Sequence, residues 1–183
     1  MRKKLLLFLA MLPMVMMAQI SKNVTVANPG ELKNQISEEE KFRVSVLSVS
    51  GPLNGNDIKL LQEMVNRSKA NEKKGEYLVT KLDLSGAMIM EGKDGMKLKA
   101  NELPNGCFSS AKGLISVSLP RALTSISKNC FSDCKNLVEV VIPGSVTEIG
   151  NAAFEDCKAL TAIGLPSGLT TIGSNAFNNC EAL

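Results

Sequence analysis

The chain has 183 residues, 44% of them hydrophobic and 21% charged, which places it among globular rather than disordered proteins. Arg2, Lys3 and Lys4 supply the whole formal charge of +3; the remainder holds 18 basic and 18 acidic residues and lacks the basic excess that nucleic-acid binding needs. Histidine is absent, which removes the commonest general base, the Ser-His and Cys-His dyads and His-ligated metals together.

The first segment reads as a secretory signal peptide, residues 1–18. Arg2-Lys3-Lys4 is its charged start, Leu5 to Ala18 its apolar stretch, and Ala18 its small residue at the cut. Met16 departs from the small-x-small rule, so the cut is placed only to within a few residues. The stretch is shorter than the roughly 20 residues a membrane helix needs, and no transmembrane span is expected in the mature chain. No cysteine lies near the cut, so a lipid anchor is not expected.

Residues 19–77 read as an N-terminal α/β capping region. It opens as a polar lead-in with a short strand at Val24 and Val26 and a turn at Asn28-Pro29-Gly30. A short helix is expected from Glu31 to Glu40, then a strand from Val44 to Val49 closed by Ser50-Gly51-Pro52. A second helix is expected from Asn56 to Arg67, with Ile58, Leu61 and Val65 on one face and Asn56 or Asp57 as cap. Ser68 to Gly75 is a charged connector.

Residues 78–183 read as a solenoid of stacked repeats. Leu82-Asp83-Leu84-Ser85-Gly86 echoes Leu47-Ser48-Val49-Ser50-Gly51, and both fit the L-x-x-L-x-L strand pattern. Residues 88–102 read as a polar loop. Beyond it the chain keeps a step of 23: Phe108, Phe131, Phe154 and Phe177; Leu114, Leu137, Leu160 and Leu183; Cys134, Cys157 and Cys180; Pro120, Pro143 and Pro166; Ile126, Ile149 and Ile172. One repeat alone has too little core to fold. Stacking puts like on like and closes a continuous apolar spine. Leu137 to Ile142 is the expected strand, ended by Pro143, and the Phe-to-Leu part is a turn or short helix. The ladder stops at Leu183 in mid-repeat, which suggests a fragment or an open end suited to self-association.

The unit Ile149-Gly-Asn-Ala-Ala153-Phe154-Glu-Asp-Cys157-Lys-Ala-Leu160-Thr-Ala-Ile163-Gly-Leu165-Pro166 and the copy opening at Ile172 resemble the BspA-like leucine-rich repeats of bacterial secreted and surface proteins. The resemblance is specific across 103–183 and weaker across 42–102. It implies a curved α/β solenoid, export, and adhesion or recognition, with host matrix or receptor proteins as partners. The first regular copy departs from the pattern, with Ala111 in the cysteine column.

No catalytic centre, metal site or cofactor is indicated. Glu38-Glu39-Glu40 lacks the alternating spacing of a calcium loop, and Gly92-Lys-Asp-Gly95 lacks Walker spacing. The cysteines sit in inward-facing columns, where free thiols serve as small hydrophobes; a disulfide between neighbouring rungs is the alternative in an exported protein. Asn23-Val-Thr25 and Asn66-Arg-Ser68 match the glycosylation sequon, read as accidental.

What remains is surface. The x positions of each strand face solvent on the concave sheet. They are Ser45, Val46 and Ser48; Thr80, Lys81 and Asp83; Ile115, Ser116 and Ser118; Val138, Glu139 and Val141; and Thr161, Ala162 and Gly164. The residues from Thr80 to Ala162 in this series form the candidate protein-binding face, with Val46, Ile115, Val138 and Val141 as a modest apolar stripe. A plain solvated sheet is the bland reading. The expectation is a secreted or cell-surface, non-catalytic protein that binds other proteins; the alternative is a structural stalk or assembly module. A hydrolase in the N-terminal region is disfavoured for want of an acid–base pair.

Overall fold

The computed structural model describes residues 20–66 and 79–183. The expected signal segment, Arg67 at the end of the second expected helix, the connector at 68–75 and most of the second sequon lie outside them.

The described residues form two parallel sheets, one along the whole stack and one confined to the regular repeats. The larger has six strands: β1 (Ile20–Thr25), β2 (Val44–Leu53), β3 (Lys81–Ile89), β4 (Ser116–Ser118), β6 (Glu139–Val141) and β8 (Ala162–Ile163), in that order. The smaller joins β5 (Ser125–Ile126), β7 (Glu148–Ile149) and β9 (Thr171–Ile172). One apolar core fills the space between and runs unbroken from Val24 to Ala176.

The repeat step builds that core as expected. The rings of Phe108, Phe131, Phe154 and Phe177 stack in turn, with centroids 5.6, 5.4 and 5.4 Å apart. The first three are fully buried, and each contributes about 1.5–3 kcal/mol by burial alone. Leu114, Leu137 and Leu160 lie beside them, as do Ile126 and Ile149. Ile172 and Leu183 sit on the last rung, which has a neighbour on one side only, and Ile172 is 49% exposed.

The Phe-to-Leu part is a series of turns, not a helix. Two residues per repeat take left-handed backbone, four apart: Asn129 and Asp133, Ala152 and Asp156, Asn175 and Asn179. This conformation aims N–H groups along the stack. Asn129, Asp133, Ala152 and Asp156 each donate to a carbonyl of the next rung, at 2.8–3.0 Å. Asn and Asp tolerate the left-handed region; alanine has no side-chain polar group to support it. Ala152→Asn, the residue found at 129 and 175, is therefore expected to stabilise the protein by about 1 kcal/mol, read as a rise in melting temperature. No gain would mean that the strain is relieved elsewhere.

The N-terminal region departs from the sequence reading in several places. The lead-in is a full strand, β1, paired along β2. The first helix shrinks to α1 (Leu32–Gln35), followed by a short 3-10 turn at Glu40–Phe42. Strand β2 does not stop at Ser50-Gly51-Pro52 but runs through them to Leu53. Gly51 makes this possible: its φ is +94°, and a Cβ there would meet the Val26 carbonyl oxygen at 2.1 Å.

The second helix, α2 (Gly55–Val65), is capped by Asn54 rather than by Asn56 or Asp57. Asn54 Oδ1 accepts from the N–H groups of Asn56 and Asp57, while Asp57 accepts from the N–H of Asn54, closing a reciprocal cap. Residues 88–102 are not a free loop. Met88 and Ile89 extend β3, Leu98 is buried, and the backbone at 94–96 lies against Gly55. Helix α2 is also tied to the first regular rung: Gln62 donates to the Cys107 carbonyl at 2.8 Å, and Asn66 to that of Ser109 at 3.1 Å.

Candidate interaction surface

The larger sheet turns three rows of side chains outward. In one, Thr80, Ile115, Val138 and Thr161 follow each other through backbone bonds between adjacent rungs. In the second, strand register aligns Ser21, Val46, Lys81, Ser116, Glu139 and Ala162. In the third it aligns Asn23, Ser48, Asp83, Ser118 and Val141. The eleven candidate residues thus share one face, because an L-x-x-L-x-L strand sends its leucine-type positions into the core and the rest to solvent.

Their availability differs. Ile115, Val138 and Val141 are exposed, Val141 by 51%. Lys81, Glu139, Thr161 and Ala162 are exposed; Thr80, Asp83, Ser116 and Ser118 are half-buried. Thr80 Oγ1 donates to the Ser45 carbonyl at 3.1 Å, and Asp83 accepts from the Ser85 N–H at 2.9 Å. Those two side chains are already engaged. Ser45 is buried and leaves the face; the β1–β2 ladder shifts there, Ile20 pairing with Val44 and Ser21 with Val46, so that Ser45 is skipped. Leu165, although at a leucine-type position of the repeat, is exposed.

The sequence reading missed the contribution of β1. Asn23 and Thr25 join Ser48, Ser50, Asp83 and Ser85 around a shallow hollow of about 230 Å³. Val24 and Val26 mark a short strand in the sequence, but only pairing with β2 places its outward residues on this face. A second hollow, of about 340 Å³, lies by the smaller sheet among Lys99, Glu102, Lys128, Glu148 and Asn151.

The cysteines serve the stack. All five are free thiols. The Sγ atoms of Cys134, Cys157 and Cys180 lie 3.1 Å from the carbonyl oxygens of Phe108, Phe131 and Phe154, so each thiol donates to the preceding rung. Burial, aided by Cys107, pushes the Cys130 thiol up; Cys134 and burial do the same for Cys157, and burial does so for Cys180. A thiol held protonated is neither nucleophile nor metal ligand. Among the described residues no group of acidic and cysteine side chains is placed to hold a metal, and no helix is long and apolar enough to cross a membrane.

The pattern of BspA type leucine-rich repeat regions matches residues 99–183, in six copies. Residues 99–183 thus carry BspA-type leucine-rich repeats. The repeat explains both sheets at once, the larger from its leucine-type strand and the smaller from its isoleucine column. No enzymatic family is indicated. Two solved structures are similar. The leucine-rich repeat protein of T. pallidum shares 24% identity over 57% of this chain and 56% of that one, with a TM-score of 0.43. A leucine rich cell surface protein from Faecalibacterium prausnitzii A2-165 shares 20% identity over 89% of this chain and 46% of that one, with a TM-score of 0.41. The chain spans about half the length of these two structures. No curated protein matches it.

Proposed function

We propose that this BspA-type repeat protein is secreted or displayed at the cell surface and binds another protein, of the host-matrix or receptor kind, through the outward face of the larger sheet. It has no catalytic role. In this reading residues 1–18 direct export and 19–77 cap the solenoid. The observation that carries it is the exposure of Ile115, Val138 and Val141 on a sheet whose other outward residues are mostly short and polar. Lys81 and Glu139 stand two strands apart in the row between them, about 9–10 Å by strand spacing, and form no ion pair among the described residues. An apolar centre with charges of both signs beside it suits a protein partner, where a desolvated middle supplies affinity and rim charges supply register.

The test is a biosensor panel of extracellular-matrix proteins and receptor ectodomains against the purified chain. For any partner found, Val138→Asp with Val141→Asp is expected to weaken binding about tenfold or more, while Glu148→Gln on the smaller sheet leaves it unchanged. Undiminished affinity in the double variant would place the site elsewhere.

A further inference from the structure

One core-facing row of the larger sheet ends in a charge. Across the six strands the register aligns Lys22, Leu47, Leu82, Val117, Val140 and Ile163. Five are aliphatic, and the edge strand holds the lysine. The Lys22 side chain is 21% exposed, and its Nζ lies 2.5 Å from Glu40 Oε1. Glu40 is itself fixed: its Oε2 accepts from the Ser37 N–H at 2.8 Å, and its own N–H donates to Ser37 Oγ at 3.2 Å. Lys22 and the Ser37 amide bring the Glu40 carboxyl down to about 2.

In other respects β1 is a strand-adding edge. It has six residues and no proline, and Val24 is buried beside Val49. Among the described residues its ladder pairs with β2 alone. Such an edge invites another strand unless something opposes it, and an inward-pointing charge is one way to do so. We infer that Lys22, held by Glu40, closes the β1 edge against a second copy of this chain. The copy's natural approach is isologous, β1 against β1 about a two-fold axis. A strand laid there must seat its own core-side residue against an ammonium group and strip that group of water, at a cost no aliphatic contact offsets.

The experiment is Lys22→Leu in the full chain, with Lys22→Met alongside it as the isomer-tolerant replacement. Sedimentation velocity over a wide concentration series is combined with residue-resolved hydrogen exchange. Dimerisation is expected to strengthen about tenfold or more over the natural chain, with concentration-dependent protection confined to the amides of 20–25. Unchanged association, or association that leaves those amides unprotected, overturns the inference. So does loss of fold in both variants, because an aliphatic side chain occupies this row in every other strand.

Discussion

Phe131→Ala is expected to cost about 3–5 kcal/mol, seen as a lowered denaturant midpoint and melting temperature. Phe131 is fully buried, with Phe108 stacked on one side and Phe154 on the other at 5.6 and 5.4 Å. Removing the ring opens a cavity in the middle of the column. The rungs cannot collapse into it, because their spacing is fixed by both sheets. The backbone of Phe131 also accepts a hydrogen bond from the thiol of Cys157 and donates to the Ala153 carbonyl at 2.8 Å, so a shift at this residue also strains the next rung. Phe177→Ala is the control. Its ring stacks on Phe154 alone and is only half-buried, so its loss should cost clearly less. Equal effects at the two positions would show that the stack does not act as a continuous column. Since each repeat touches only its neighbours, the Phe131 variant should also broaden unfolding and separate the N-terminal part from the last rungs.

Asp57→Ala is expected to cost a comparable 3–5 kcal/mol. Asp57 is almost wholly buried at the start of α2. Its carboxylate accepts three backbone N–H groups: Gly30 at 2.6 Å, Leu32 at 3.0 Å and Asn54 at 2.9 Å. One side chain therefore completes the Asn54 cap of α2 and pins the turn between β1 and α1 to it. Alanine leaves three donors without an acceptor in a place water cannot easily reach. Asp57→Asn keeps one acceptor oxygen and should recover part of the loss. Hydrogen exchange offers a local readout, with faster exchange at Gly30 and Leu32 in the alanine variant. If those amides stay protected, the turn is held by other contacts.

These two residues were unequally legible. Phe131 announces itself by recurrence: a side chain repeated every 23 residues in a stacked fold has only one way to be buried, on top of its copies. Asp57 does not recur. As a sequence feature it was one of two plausible caps. Its other two bonds join it to residues 27 and 25 positions earlier, which no local pattern records. The same holds for β1. Its register with β2 placed Lys22 in a core row and Asn23 on the outward face, although neither residue has a periodic signature. The outward face was readable strand by strand, since the leucine-type positions dictate which side chains turn inward. Ser45 failed that rule where the β2 ladder shifts.

The 23-residue recurrence by itself determined the stacked architecture, the identity of the spine and the side of each repeat strand that meets solvent, because a like-on-like column forces in-register stacking. Only the tertiary structure decided the smaller sheet, the left-handed turns that link the rungs, the donor role of the cysteines and the Lys22–Glu40 pair on β1. Each of these depends on contacts between residues brought together by pairing, and such contacts leave no mark on the spacing of residues along the chain.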